Sequence, residues 1–454
     1  MRLSDSTLGV MDTIAAIATP PGQGALSVIR VSGPAAESVL REIFRSRGNL
    51  TPWESARRAV LGDFLAEDGS VLDEGLVVFF RGPASFTGED TFEFTGHGGA
   101  LVTRRVLERV LRAGAKGAQP GEFTQRAFIN GRLDLTRAEA VMDLIGAQSD
   151  RALRMATGLL SGSLGRKIAE ACDGLVGVLA HVEAYIDFPD EDIDPETGVA
   201  LCARMSEVLG LVRTLENSAY RGRILREGVR VVLCGSPNAG KSSLLNHLLG
   251  KDRAIVSPVA GTTRDTIEES VQMRGYAIRL IDTAGIRESD DLVEAEGVVR
   301  SQREVDLADI ILAVIDGSAG SQTAYFPEDK RVIRIFNKAD LAEHADWRGI
   351  EGVRVSCLTG QGLDALECAV EQRIGEGGLL SDTDEPAVNA RQADALRRAA
   401  VALEAALSGM EAAVGTELVA EDLREALGAL GEIVGRVDAD DILGRIFSSF
   451  CIGK

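Results

Sequence analysis

A chain of 454 residues, 45% hydrophobic and 26% charged, is long enough for about three domains with separate cores, which excludes fibrous, disordered and peptide-like classes. The net charge of −20 argues against a surface that is one basic cradle for nucleic acid or membrane, so a polyanionic partner has to be held locally. Fifty glycines against 12 prolines, with 4% aromatics, imply many tight turns and make glycine-built phosphate loops worth seeking.

The first twenty residues carry Asp5 and Asp12 and lack a basic start followed by an apolar core, so no secretory signal is expected. Up to residue 122, short β-rich runs such as Leu26 to Val31 and Leu76 to Phe80 alternate with Gly, Pro and Ser clusters. With one amphipathic helix pattern at 101–113, they predict an α+β domain. From Phe123 to Gly222 the apolar period becomes helical, and a helix bundle is expected there. The acidic stretch Asp187 to Glu196 lacks EF-hand ligand spacing and reads as a solvated loop.

Strands alternate with helices through 223–377, at Arg230 to Leu233, Ile278 to Ile281, Ile310 to Ile315, Val332 to Phe336 and Val353 to Val355. That alternation predicts a parallel α/β sheet. Helical sequence resumes within 378–454 but is too short to bury a core alone. It is therefore expected to complete the bundle of 123–222, which makes the α/β domain an insertion. No apolar run approaches the ~20 residues of a membrane span. The six cysteines (Cys172, Cys202, Cys234, Cys357, Cys368 and Cys451) form no CxxC pair or zinc cluster, as expected of a reduced cytoplasmic chain.

Gly235 to Ser242 reads G-x-x-x-x-G-K-S between an apolar strand and a helix. Its backbone N–H groups suit α/β-phosphates, Lys241 the β/γ-oxygens, and the Ser242 hydroxyl Mg²⁺. Asp282-Thr283-Ala284-Gly285 follows a strand, where the carboxylate can hold the Mg²⁺ shell and the Gly285 N–H can meet a γ-phosphate. Asn337-Lys338-Ala339-Asp340 has the guanine-reading pattern NKxD, in which Asp340 accepts from the ring N–H and exocyclic amine. Adenine lacks that donor pair, so GTP is favoured over ATP. Gly261 to Asp265 has the form of a switch loop, with Thr263 completing the Mg²⁺ shell.

The position after Gly285 is Ile286, which cannot orient the attacking water as the glutamine of other GTPases does. Leu358 stands where the fifth GTPase element, here Ser356-Cys357-Leu358, commonly carries lysine.

Asp12 to Gly22, Ser85 to Asp90 with Gly96-His97-Gly98-Gly99, Pro120 to Phe128, the inserted GTPase and the ending Phe447 to Lys454 together resemble the MnmE (TrmE) family of tRNA-modification GTPases. The resemblance implies a multidomain fold: an α+β folate-binding and dimerisation domain at 1–122, an all-α helical domain at 123–222 and 378–454, and an inserted α/β P-loop G domain at 223–377. It implies modification at C5 of the tRNA wobble uridine, with a carboxymethylaminomethyl or aminomethyl product. The expected partners are a second copy of the chain, the FAD-containing MnmG subunit and tRNA, with no membrane.

By the same resemblance, Arg30, Glu93, Arg132 and Lys454 hold the folate one-carbon donor, 5,10-methylene-tetrahydrofolate or a 5-formyl analogue. Read from the residues alone, these are equally well solvated surface charges. The implied GTP contacts are Asn238, Ala239, Gly240, Lys241, Ser242 and Ser243; Ser257, Pro258, Val259, Ala260, Gly261, Thr262 and Thr263; Asp282 to Gly285; and Asn337, Lys338, Asp340, Ser356, Cys357 and Leu358. K⁺ is expected on Asn238, Ser257, Val259 and Thr262, where it supplies the charge of an arginine finger and joins two G domains. Glu294 is implied to orient the hydrolytic water, and a solvated helix glutamate is the plain alternative. Cys451 reads either as a thiolate near folate and uridine or as a structural cysteine.

His97, between glycines, reads as a loop or ligand contact. Residues 101–137 hold eight basic against three acidic side chains, a candidate tRNA patch or a solvated helix face. A regulatory RNA-binding or ribosome-assembly switch is the alternative function. The folate residues and the cysteine-lysine tail separate the two.

Overall fold

The computed structural model describes residues 12–187, 195–251, 268–282, 303–320, 331–376, 386–412, 415–436, 446–447 and 450–453. The chain divides into two compact units, 1–142 with 431–454, and 143–430.

The first unit contains β1 (Ile14–Ile17), β2 (Leu26–Ser32), α1 (Ala36–Ile43), β3 (Phe44–Ser46), β4 (Ala59–Leu65), β5 (Val71–Phe80), β6 (Thr91–His97), α2 (Ala100–Arg112), β7 (Lys116–Gly117), α3 (Glu122–Ile129) and α4 (Leu135–Gly146), whose last turn enters the second unit. The strands form one sheet in the order β3-β4-β5-β6-β2-β1-β7. Apolar spacing at i, i+3, i+4 and i+7 makes α1 amphipathic, and it buries Ala36, Val39, Leu40 and Ile43. With Val106 and Val110 of α2, these side chains pack on Ile29, Val31, Val77, Phe79, Phe92 and Phe94 of the strands. Antiparallel register sets Arg30 directly across from Glu93, and Phe447 and Phe450 of the tail are buried in this unit.

The second unit contains α5 (Asp150–Leu160), α6 (Ser163–Asp187), α7 (Pro195–Asn217), α8 (Ala219–Glu227), β8 (Val229–Cys234), α9 (Lys241–Lys251), β9 (Glu268–Met273), β10 (Tyr276–Asp282), β11 (Ile310–Asp316), β12 (Val332–Asn337), β13 (Val353–Arg354), α10 (Leu363–Ile374), α11 (Ala390–Glu411) and most of α12 (Thr416–Val434). The sheet order is β13-β12-β11-β8-β10-β9. Five strands are parallel, as expected, but β9 is an antiparallel edge strand. It joins β10 through Arg274 and Gly275, both at positive φ, as a two-residue hairpin turn requires. Arg-Gly lacks the Asn-Gly or Asp-Gly signal that would have marked the hairpin.

The α11 helix opens on a capping box, Asn389 with Gln392, and packs along α7. The two connections into the inserted sheet run side by side. Val388 N–H donates to Ser218 Oγ (3.2 Å) and Arg226 Nη2 to the Ala387 carbonyl (3.2 Å). Arg226 Nε also pairs with Asp143 at 2.8 Å. No described helix is long and apolar enough to cross a membrane.

Candidate functional site

The phosphate end is built by the turn from β8 into α9. Gly235 and Gly240 have φ of +146° and +97°; a Cβ would stand 2.1 Å from the Val314 carbonyl oxygen at the first and 2.0 Å from Asn337 Nδ2 at the second. Glycine is therefore required at both positions. Lys241 is buried, and its ammonium donates to the Gly235 and Ser236 carbonyls, each at 2.9 Å. Ser242 and Ser243 are exposed in the first turn of α9. A glycine loop, a folded-back ammonium and a helix N-terminus together fit a polyphosphate.

Register places Asp282 across from Leu233, so the second motif ends its strand beside the phosphate loop. The Ser242 hydroxyl, exposed beside the loop, is a hard oxygen donor of the kind that fits Mg²⁺. When bound, that ion neutralises phosphate charge.

The base end gathers at the ends of β11 and β12. Asn337 is buried; its Nδ2 donates to the Ala239 carbonyl (2.9 Å) and its Oδ1 accepts from Cys357 N–H (3.3 Å). It thus ties the phosphate loop to the fifth element. Asp340 Oδ1 accepts from Ser356 Oγ at 2.5 Å, which fixes the carboxylate expected to read guanine. Lys338, at φ +64°, pairs with Asp316 at 2.5 Å. Leu358 is 85% exposed and anchors nothing in the chain core. Burial pushes the Cys234 thiol up to about 11 and raises that of Cys357, so both stay protonated near neutral pH.

The structure therefore brings together Asn238, Ala239, Gly240, Lys241, Ser242, Ser243, Asn337, Lys338, Asp340, Ser356, Cys357 and Leu358 in the inserted α/β sheet and its loops. Ser257 to Thr263, Thr283 to Gly285, Ile286, Glu294, Lys454 and the Asp282 side chain lie outside the described residues, as does most of the acidic stretch Asp187 to Glu196.

In the first unit, Arg30 Nε and Nη2 both reach Glu93 Oε1 at 2.8 Å. Oε2 has no partner among the described residues. The Arg30 guanidinium also lies 5.4 Å from the Phe86 ring centroid and 5.7 Å from that of Phe123, and its Nη1 is 3.5 Å from the Gly453 carbonyl. The tail is thus seated beside Arg30. Cys451 is exposed, and its carbonyl accepts from Gly121 N–H at 3.4 Å. Arg132 is exposed, with its stem against Gly88 of the loop that carries Phe86. Sequence reasoning misses Phe86 and Phe123, although both fall inside the stretches Ser85 to Asp90 and Pro120 to Phe128 that carry the family resemblance.

The basic run at 101–137 is largely neutralised. Arg109 and Arg126 are buried in pairs with Glu42 and with Glu89 and Glu122, while Arg104, Arg105, Arg112 and Lys116 have acidic partners at the surface. Glu108 and Glu122 belong to the run itself, whereas Asp12, Glu42, Glu67 and Glu89 are brought to it by the fold from elsewhere in the chain. His97 hydrogen-bonds Asp73 at 2.6 Å through Nδ1. That hydrogen bond, with the charge of Asp73, raises the imidazole above its ordinary value. Among the described residues no cluster of His, Cys, Asp and Glu could hold a metal.

The family model "MnmE helical domain" matches residues 135–451, and "GTP-binding protein TrmE N-terminus" matches 13–132. A curated protein of Akkermansia muciniphila named tRNA modification GTPase MnmE is 49% identical over 447 residues, covering 97% of this chain and 99% of the relative. Proteins of the same name from Symbiobacterium thermophilum and Moorella thermoacetica are each 45% identical, covering 98% of this chain and 99% of the relative.

Proposed function

The chain belongs to the MnmE family of tRNA modification GTPases and is a GTP hydrolase, and from that premise we propose that it couples GTP hydrolysis to modification of the wobble uridine at C5, using a folate one-carbon donor and the FAD-containing MnmG partner. Lys241 and the loop amides hold the phosphates, and Asp340, braced by Ser356, reads the base. Asn238, Ser257, Val259 and Thr262 would hold a K⁺, which would supply the positive charge of an arginine finger where two G domains of a homodimer meet, and Glu294 would orient the water that Ile286 cannot. The protein works in the cytoplasm, with a folate domain at 1–122, a helical domain at 123–222 and 378–454, and a G domain at 223–377.

One observation carries the folate half of this reading: the Arg30–Glu93 pair lies against Phe86 and Phe123 with the Gly453 carbonyl beside it. Both bonds fall on one Glu93 oxygen, which leaves the other for the amidine-like edge of a pterin, and the aromatic rings suit a flat heterocycle. Arg132 and Lys454 supply cations for the glutamate carboxylates of the folate.

Calorimetry of the full chain with 5-formyl-tetrahydrofolate tests this half, and GTP turnover in K⁺ against Na⁺ tests the other. The expected results are saturable folate binding and faster turnover in K⁺. A GTPase switch without one-carbon chemistry gives no folate heat under any nucleotide condition.

A further inference from the structure

We propose that Asp316 is a positioning residue for the guanine base, acting through Lys338. The inference rests on the reading of Asn337 to Asp340 as the guanine loop and adds to it a residue from a different strand. Asp316 ends β11 and is the direct register partner of Asn337 on β12, so the two strands finish side by side. Its carboxylate divides its work. Oδ1 accepts from the N–H (3.0 Å) and the hydroxyl (2.6 Å) of Ser318, and Oδ2 accepts from Lys338 Nζ.

Backbone bonds reinforce the join. Gly317 N–H donates to the Asn337 carbonyl at 2.9 Å, Leu341 N–H to that of Lys338 at 2.9 Å, and Ala339 N–H to that of Val355 at 3.0 Å. Lys338 itself sits in the left-handed region that disfavours a side chain, and its four-carbon stem has much rotamer freedom to lose. The pair with Asp316, at 25% and 36% side-chain exposure, holds that stem before a base arrives. Three anchors then fix the loop: Asn337 to Ala239, Lys338 to Asp316, and Asp340 to Ser356. Burial opposes ionisation of Asp316, yet the bonds from Lys338 and Ser318 prevail and keep its carboxyl below the ordinary range, so the anchor persists at neutral pH.

The test is release of fluorescent mant-GDP from the full chain, with competition by GDP and by IDP, which lacks the exocyclic amine. Asp316→Ala is expected to speed release about three- to tenfold, the range for a half-exposed, charge-assisted pair. It should also narrow the preference for GDP over IDP, because Asp340 is less well placed. Asp316→Asn keeps the acceptor for Ser318 and removes the charge, and it should retain most of the effect. If Asp316→Ala fails to fold, Asp316→Asn decides the matter. In a Lys338→Ala background the Asp316 change should add nothing. Unchanged release in the folded variants, or equal increments with and without Lys338, overturns the proposal. A wild-type chain that binds no mant-GDP refutes the guanine site itself and the proposal with it.

Discussion

The nucleotide site and the Arg30 site are assembled by opposite strategies. The first gathers its described residues at the carboxyl ends of neighbouring parallel strands, where short loops deliver backbone amides and two lysines, Lys241 and Lys338. The second joins residues 30, 86, 93, 123 and 453 through antiparallel register, ring contacts and a docked tail. Phosphate recognition by backbone has to be contiguous in sequence, whereas a side-chain pocket need not be. The first leaves a motif, and the second leaves only scattered charges.

If the two sites are built independently, each can be broken without the other. Lys241→Ala should lower GTP turnover on the order of 10² to 10³-fold while folate binding is kept, as phosphate-release assays and calorimetry would record. Loss of folate binding in that variant would mean the sites are not separable. Phe450→Ala removes a buried ring from the docked tail and should cost about 3 kcal/mol, seen as a lower melting transition with weaker folate binding. Arg30→Ala leaves Glu93 unpaired and should weaken folate binding by roughly 1.5–3 kcal/mol, the usual worth of a charge-assisted bond.

The smallest effect concerns His97. Because Asp73 raises the imidazole, the pair stabilises the fold below the ordinary imidazole value, and that contribution fades as pH rises through the folded value above it. The melting difference between wild type and His97→Gln should therefore be present in mild acid and close toward alkaline pH. A pH-independent difference would remove the ion pair from the account.

Much of the α/β sheet was legible in the sequence because buried parallel strands read as apolar runs: Ile310 to Ile315 and Arg230 to Leu233 fall on β11 and β8. The Arg274-Gly275 hairpin was not, since its positive φ values come with atypical turn residues. The phosphate loop was legible from Gly235 to Ser242. The bracing of that loop by Asn337, and of Lys338 by Asp316, was not, because both depend on which strand ends lie adjacent. Arg30 and Glu93 were named only through family resemblance. Their pairing follows from the β2–β6 register, and nothing local in either stretch specifies that register.

Mass spectrometry of wobble nucleosides in tRNA from cells that depend on this chain tests whether its GTPase and its Arg30 site serve one modification. The comparison is between cells carrying the wild type and cells carrying Lys241→Ala or Arg30→Ala. If GTP turnover and folate are required together, C5-modified uridine is lost in both variant strains. A nucleoside profile identical to wild type in both strains would contradict it.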